Sequence, residues 1–240
     1  MRLVTPYKES SSGKKEQVAK MFDSIAFRYD FLNQLLSLGI HHSWRKKAVK
    51  YFINDKPGLV LDIATGTGDF AIAALKAKPG KVIGVDISEG MLKFGIEKIK
   101  KRGLEDMIEL KKGDAENLDF ADNSVDVITV GFGVRNYENL EKGLQNMLRV
   151  LKPGGKLVVL EFSKPTGFFR HIYNFYFKYI TPTVGKLFSK DSTAYTYLPE
   201  SVQAFPDGKN FTAVLDKLGY KNSAFRPLTL GIATIYYAIK

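Results

Sequence analysis

Residues 59–74 constrain the fold of this chain more than any other stretch, because they are typical of a buried strand that ends in glycines and restarts as a helix. The apolar run 59–63 is too short for an isolated helix and suits a parallel strand covered on both faces. Gly66 and Gly68 allow a sharp turn and the close approach of a ligand. The spacing Gly66-x-Gly68-x-x-Ala71 fits the dinucleotide-binding fingerprint, which is a weak signal when taken alone.

Three acidic residues lie at or near the carboxyl ends of successive predicted strands: Asp62, Asp86 and Asp114. Ligands of open α/β sheets bind beyond these ends, where Asp86 would accept both ribose hydroxyls of a dinucleotide or an adenosyl ligand. Asp62 discriminates between these ligands, since two unit charges about 4 Å apart at an effective dielectric near 20 interact by roughly 4 kcal/mol. A carboxylate there opposes a pyrophosphate and favours an ammonium or sulfonium. We therefore expect S-adenosylmethionine, although each acid taken singly is also explained as a helix cap or a strand end.

The composition bounds the class of protein. A chain of 240 residues can form one full α/β domain, and the absence of cysteine excludes disulfides and thiolate metal sites; we expect no metal. No apolar signal segment precedes residue 20, so we expect a cytoplasmic protein. The net charge of +11 comes from basic residues scattered among acidic ones, without a long basic tract, and we expect no nucleic-acid partner.

The pattern along the chain predicts three parts: a mobile tail over 1–14, a cap of helices over 15–53 that covers the ligand crevice, and an α/β domain over 54–240. In the domain, five predicted strands alternate with helices, as in a parallel sheet. Two closing strands, joined by a tight turn at 228–230, cannot be parallel neighbours, so the sheet should end in an antiparallel hairpin.

Residues 164–206 form the least regular part of the predicted domain. They include an aromatic-rich insertion before the last helix, with seven Phe and Tyr residues over 168–179, which is too polar, and interrupted too early by Pro182, to span a bilayer. Two interpretations remain open. The run is either an amphipathic core helix, or an insertion that covers a large apolar substrate or touches a membrane surface.

Long motifs identify a family that the chain resembles. They are Tyr-Asp-Phe-Leu-Asn-Gln-Leu-Leu-Ser-Leu-Gly-Ile-His-His-Ser-Trp at 29–44, Arg-Val-Leu-Lys-Pro-Gly-Gly-Lys-Leu-Val-Val-Leu-Glu-Phe-Ser at 149–163, and the shorter runs 132–136 and 197–201. They resemble the ubiquinone/menaquinone biosynthesis C-methyltransferases, which methylate a ring carbon of a polyprenylated quinol. Leu32 and Asp119 depart from the family pattern, which usually has methionine and proline there.

The resemblance implies a seven-stranded, Rossmann-like methyltransferase sheet with an antiparallel last strand, and S-adenosyl-L-methionine as cofactor. It also implies a distribution of cofactor contacts. Gly66, Thr67 and Gly68 would hold the methionine end, Asp86 the ribose, Asp114 with Ala115 the adenine, and Asp62 would lie near the ammonium.

Ring methylation requires a nucleophilic carbon, which forms when the neighbouring phenol ionises. A phenol of pKa about 10 is ionised to roughly one part in a thousand at pH 7, so the site must supply about 4 kcal/mol. Arg135 is expected to stabilise the phenolate, while Asn136 and Tyr29 orient the ring or a water that accepts the proton. The alternative bases are His41, His42 and His171.

Other functions remain open from the sequence. The glycine turn also suits a nicotinamide-dependent reductase, and the same cofactor site would serve a methyltransferase acting on RNA or another small molecule. A prenyl tail would lie in a bilayer, so a peripheral contact with the inner face of the membrane is a further hypothesis. The sequence leaves open whether the protein forms a homo-oligomer, and whether the ring is a naphthoquinol or a benzoquinol.

Overall fold

The computed structural model describes residues 4–165, 167 and 193–240. Its helices are α1 (Lys14–Ile25), α2 (Tyr29–Ser37), α3 (Ile40–Val49), α4 (Asp69–Ala74), α5 (Glu89–Lys101), α6 (Leu140–Val150), α7 (Thr193–Ala204) and α8 (Lys209–Lys217). Its strands are β1 (Leu59–Ile63), β2 (Lys81–Asp86), β3 (Ile108–Lys112), β4 (Val125–Gly131), β5 (Leu151–Phe162), β6 (Lys221–Leu228) and β7 (Ala233–Ile239). Short 3₁₀ turns occupy Ala26–Arg28, Leu75–Ala77, Val134–Asn136 and Thr229–Gly231.

The seven strands form one sheet in the order β3-β2-β1-β4-β5-β7-β6. All neighbours are parallel except β7, which runs antiparallel to both β5 and β6. The predicted seven-stranded sheet with its antiparallel ending is therefore confirmed. The chain reverses its direction of progress across the sheet between β1 and β4, and such switch points are where ligand crevices open.

Side chains of the parallel strands alternate between two apolar layers. On β1, Val60 packs in a cluster with residues of α3 and α4, such as Trp44 and Phe70. Its neighbour Leu61 packs in the opposite cluster with residues of α6 and α8, such as Leu144. Both faces of the central strands are thus covered by helices, which explains the continuous apolar run of β1.

Residues 152–155, Lys-Pro-Gly-Gly, form a bulge within β5 although this sequence is typical of a loop between elements. Leu151 pairs with Val125, and the ladder resumes where Lys156 pairs with Val127. The extra residues of this run shift the pairing register locally, and the strand continues beyond them.

The helices predicted as one cap over 15–53 divide between two places. Residues of α1 and α2 line the crevice, whereas α3 packs on one face of the sheet through Trp44 and Ala48. The boundary at residue 14 also needs correction, because Lys14 is buried and its ammonium donates to the carbonyls of Arg135 and Tyr137, at 3.1 and 2.9 Å. α1 is therefore anchored from its first residue to the loop that follows β4.

The segment predicted as irregular contains α7, whose Tyr197 packs against Val18 and Met21 of α1. The aromatic run at 168–179, with His171, lies outside the described residues. In the described ranges, no helix is both long enough and apolar enough to cross a bilayer.

Backbone conformation is unusual where β1 and β4 end side by side. Ala64 and Phe132, which follow these strands, have positive φ values of 54° and 58°. Between them, a Cβ placed on Gly133 would lie 2.5 Å from the Cβ of Ala64. Only glycine permits this approach of the two strand ends.

We expect Gly133→Ala to lower the free energy of unfolding by roughly 1–3 kcal/mol, because the two backbones must separate. Urea denaturation measures the change. Gly58→Ala is the matched control, since its new Cβ would meet only a side-chain oxygen of Asp126, at 3.2 Å. Equal stabilities for the two variants would contradict the proposed close approach.

Candidate active site

A cavity with an empty volume of about 650 Å³, part of it open to solvent, lies at the carboxyl ends of β1, β2 and β4. Six of the predicted site residues line it: Tyr29, Gly66, Asp86, Asp114, Ala115 and Asn136. Four others are not among its described lining residues: Asp62, Thr67, Gly68 and Arg135.

Asp86 joins the glycine turn to the start of α5. Its carboxylate accepts the N–H of Gly66 at 2.7 Å and the N–H of Ser88 at 2.9 Å. Burial raises the pKa of Asp86, and these two donors oppose that shift. A carboxylate has about four acceptor positions, so Asp86 retains capacity for hydroxyl groups of a ligand.

Asp62 lies beneath the turn and not on the cavity wall. Its side chain is fully buried, and its oxygens accept the hydroxyls of Thr65 and Thr129, both at 2.6 Å, and the N–H of Ala71 at 3.1 Å. Burial raises its pKa to about 6, against the effect of these hydrogen bonds. Asp62 therefore ties β1, the turn, α4 and β4 together, and its predicted place near a ligand ammonium stays a prediction.

Thr67 and Gly68 are also turned away from the cavity. The hydroxyl of Thr67 donates to Asp30 at 2.6 Å and accepts from the ammonium of Lys98 at 3.0 Å. Gly68 has a φ of 81° and starts α4. Both residues shape the turn, and the backbone of Gly66 is the part that faces the cavity.

Asp114 is ion-paired in this structure. Its carboxylate lies 2.6 Å from the ammonium of Lys15 on α1 and also accepts the N–H of Glu116 at 2.9 Å. The ion pair raises the pKa of Lys15. Ala115 lies beside Asp114 on the cavity wall, and α1 reaches the same carboxylate that the sequence assigned to adenine.

Two buried polar atoms next to the cavity lack partners. Among the described residues, the amide oxygen of Asn136 and the hydroxyl of Tyr137 make no hydrogen bond. Burial raises the pKa of Tyr137 well above its usual value, so its hydroxyl stays protonated. Buried polar groups are normally paired, so these atoms fit a pocket built for a polar ligand such as an adenosyl group.

Arg135 makes a buried ion pair with Glu161, which lies near the carboxyl end of β5. Its guanidinium lies 2.7 Å from the Glu161 carboxylate, and its backbone N–H reaches the same group at 3.3 Å. It also donates to the carbonyl of Phe132 and to Ser201 on α7, the latter at 3.3 Å. The charge that the sequence assigned to phenolate stabilisation is thus already compensated within the protein.

Aromatic rings surround this ion pair. The guanidinium lies 5.4 Å from the ring centre of Phe162, which stacks on Phe132 at 4.5 Å, and Trp44 is near both. Tyr29 lines the cavity, and burial raises its pKa. Arg135 and Tyr29 thus both lie in largely apolar surroundings, but only Tyr29 is on the cavity wall.

Glu116 was missed by the sequence analysis. It is buried on the cavity wall and accepts the N–H groups of Glu138 and Asn139, at 2.9 and 3.0 Å. Lys14 and Glu116 thus hold the loop that carries Asn136. The only sequence signal was a charged residue next to a predicted strand end, which is too common to single out.

Two of the histidines predicted as alternative bases, His41 and His42, are not among the described lining residues of the cavity. His41 hydrogen-bonds to Ser37, and burial, with Arg45 and His42 nearby, lowers its pKa to about 4. The ligand atoms of His41, His42 and Asp69 lie within 4.8 Å of one another. However, Asp69 is already ion-paired with Arg45 and with Lys98, and two cations at this point oppose a metal ion.

Solved structures share the fold of this chain. An S-adenosylmethionine-dependent methyltransferase from Aquifex aeolicus matches 88% of this chain and 97% of its own, with 22% identity and a TM-score of 0.62. Phosphoethanolamine N-methyltransferase 2 of Haemonchus contortus, solved with S-adenosyl-L-methionine, matches 98% of this chain and 61% of its own, with 16% identity and a TM-score of 0.69. The fold is that of S-adenosylmethionine-dependent methyltransferases.

The chain belongs to the ubiE/COQ5 methyltransferase family, whose sequence model matches residues 10–240. Demethylmenaquinone methyltransferase of Bacteroides fragilis is 50% identical over 240 residues, which are 99% of this chain and 97% of that protein. The ubiquinone/menaquinone biosynthesis C-methyltransferase UbiE of Geotalea daltonii is 46% identical over 226 residues, 93% of this chain and 96% of that one. The expected family, and S-adenosylmethionine as its cofactor, are confirmed.

The buried Asp62 predicts a pH-dependent stability. Its folded pKa is above its unfolded value, so the stabilisation from its protonated form is complete below about pH 4 and is lost as the pH rises through 6. Between pH 4 and 7 we expect the stability of the native protein relative to Asp62→Asn to fall by up to about 3 kcal/mol, from a shift of roughly two pKa units. Denaturation at a series of pH values measures this, with the exposed Asp106→Asn as control. A difference that does not change with pH would contradict the pKa of Asp62.

Proposed function

We propose that this chain transfers a methyl group from S-adenosylmethionine to a ring carbon of a polyprenylated naphthoquinol, the demethylmenaquinol class. The full-length identity of 50% to a demethylmenaquinone methyltransferase carries the proposal. The cavity at the ends of the strands and the aromatic rings around Arg135 support it, since Asp86, Asp114 and Asn136 on the cavity wall offer polar groups to an adenosyl moiety and the rings offer an apolar environment.

We propose that fewer residues contact the cofactor directly than the sequence predicts. Asp86 holds the ribose hydroxyls, the backbone of Gly66 faces the methionine end, and Ala115 contacts the adenine. Asp114 binds the adenine amino group in exchange for, or together with, Lys15. Asp62, Thr67 and Gly68 act through the shape of the turn.

The reaction requires little acid catalysis. When bound, S-adenosylmethionine supplies a methyl group whose leaving group is a neutral thioether. The residues of this chain must instead orient the ring and promote loss of the phenol proton. Asn136 and Tyr29 face the cavity and have polar groups for the ring hydroxyl or a water.

Arg135 contributes directed N–H groups rather than net charge. Glu161 neutralises it, and the pair lies in apolar surroundings where hydrogen bonds are strong. Burial raises the pKa of Glu161, while Arg135 and the N–H of Phe162 oppose the shift. We assign to Glu161 the orientation of the guanidinium towards the ring, because its own oxygens already accept these donors.

Other functions have weaker support. A nicotinamide-dependent reductase does not agree with membership of a methyltransferase family. No contact in the described residues favours RNA over a quinol. A peripheral contact with the inner face of the membrane, a cytoplasmic location and a homo-oligomer remain proposals, of which the first is developed below.

Incubation with methyl-labelled S-adenosylmethionine and a short-tailed demethylmenaquinol tests the proposed reaction. We expect label on a ring carbon of the naphthoquinol. Parallel reactions contain the matching demethylated benzoquinol and total RNA. Label found only in the benzoquinol would correct the ring, and label found only in RNA would overturn the quinol assignment.

Asp86→Asn tests the ribose contact. We expect the affinity for S-adenosylhomocysteine to fall at least about tenfold in calorimetry, because a charge-assisted hydrogen bond is lost. Asp122→Asn is the control, since Asp122 is exposed and paired with Arg149. Unchanged affinity in a folded Asp86→Asn protein would rule out this contact.

Glu161→Gln tests the orientation of Arg135. We expect kcat to fall by roughly tenfold to a hundredfold, because an uncompensated guanidinium turns towards other acceptors. S-adenosylhomocysteine affinity should stay unchanged, which separates the effect from loss of the fold. Glu89→Gln removes an exposed ion pair with Lys112 and serves as control. A folded Glu161→Gln protein with native kcat would show that the pair is only structural.

A further inference from the structure

Exposed apolar side chains are concentrated in one segment of the described protein. Seven large apolar residues are exposed among the described residues. Five of them lie within residues 27–40: Phe27, Phe31, Leu35, Leu38 and Ile40. Phe31 and Leu35 are four residues apart and lie on one face of α2, while Phe27 is in the 3₁₀ turn before this helix and Leu38 and Ile40 follow it. Exposed apolar side chains concentrated in one segment are typical of an interaction site.

Two of the exposed residues, both leucines, have a left-handed backbone conformation. Leu38, with 85% of its surface exposed, has a φ of 49° in the turn between α2 and α3. Leu230, 59% exposed, has a φ of 57° in the turn between β6 and β7. Left-handed backbone is uncommon for leucine, and neither side chain is buried in return.

Both turns are at the edge of the sheet where the cavity opens. The β6–β7 turn follows the carboxyl end of β6, and the Trp44 indole near the start of α3 donates to Thr229 of that turn, at 2.8 Å. Trp44 also contacts Phe132 and Phe162 at the carboxyl ends of β4 and β5. The apolar turns and the ring-binding region therefore share one end of the molecule.

The charges near these turns fit an anionic surface. From Leu38 to Lys50 the sequence contains no acidic residue, and α3 exposes Lys46 and Lys47. Lys47 follows Ile40 by seven residues, so both lie on the same side of α3. Apolar side chains next to lysines are typical of segments that insert shallowly into bilayers with anionic lipids.

We propose that the face formed by Phe27, Phe31, Leu35, Leu38, Ile40 and Leu230, which we name the apolar rim, docks on a bilayer containing anionic phospholipids. The inference rests on the proposed function, because a polyprenyl tail gives the enzyme a reason to open its site towards lipid. α2 connects the two roles: Tyr29 faces the cavity, and Leu35 and Phe31 face outward.

Co-sedimentation with vesicles tests the apolar rim. The full chain should bind vesicles of phosphatidylcholine and phosphatidylglycerol, and the double variant Leu38→Asn/Leu230→Asn should bind about tenfold more weakly, because two apolar side chains no longer enter the lipid. Asparagine tolerates left-handed backbone, so the variant should fold. Ile96→Gln, at an exposed apolar position on α5, is the matched control and should bind as the native chain does.

The electrostatic part has its own matched pair. Lys46→Glu/Lys47→Glu should weaken binding to anionic vesicles by at least about tenfold, while Lys100→Glu/Lys101→Glu, with the same change of charge in the last turn of α5, should have a much smaller effect. Equal effects would show that only net charge matters and would overturn the docking face. Native binding by the double leucine variant would also overturn it, and a change in its oligomeric mass would indicate a second copy as the occupant.

Two substrates separate this inference from the proposed reaction. The leucine variant should keep native activity on a short-tailed quinol in solution and lose it on a long-tailed quinol embedded in vesicles. If the native chain binds vesicles through the apolar rim but methylates neither quinol, the proposed function fails and the docking face stands. If it methylates the soluble quinol but binds no vesicles, the docking face fails alone.

Discussion

The buried carboxylate of Asp62 is the interaction on which the site depends. It accepts hydrogen bonds from Thr65 in the turn, Ala71 in α4 and Thr129 in β4, so one side chain fixes the relation between two strands and a helix. A charge without water is costly unless its lone pairs are occupied, and here three donors occupy them. The turn can then hold Gly66 towards Asp86, whose carboxylate faces the cavity.

A second buried charge organises the other side of the crevice. The ion pair of Arg135 with Glu161 links the turn after β4 to β5, and Lys14 links the same turn to α1. Burial lowers the pKa of Lys14 to about 8, so the carbonyls of Arg135 and Tyr137 only partly replace its hydration. One wall of the cavity is therefore formed by an N-terminal helix whose first residue is held by hydrogen bonds.

This arrangement connects chemistry with access. The cavity lies at the carboxyl ends of β1, β2 and β4, and α2 lines it through Tyr29 while Phe31 and Leu35 of the same helix are exposed. One helix therefore takes part both in the candidate site and in the exposed apolar surface. Leu38 and Leu230 extend this surface at the same end of the molecule.

The sequence by itself determined the sheet, its antiparallel ending, the family and the position of the glycine turn, because these follow from local periodicity, turn residues and long motifs. It also placed Asp86, Asp114 and Asn136 at the cavity, since the carboxyl ends of parallel strands meet at one edge. Only the tertiary structure decided which way each side chain points. The sequence assigned Asp62 and Arg135 to the ligand, but the side chains of both are buried. A buried charge pairs with the nearest donors or counter-ion. For Arg135 this counter-ion is Glu161, which is 26 residues further along the chain.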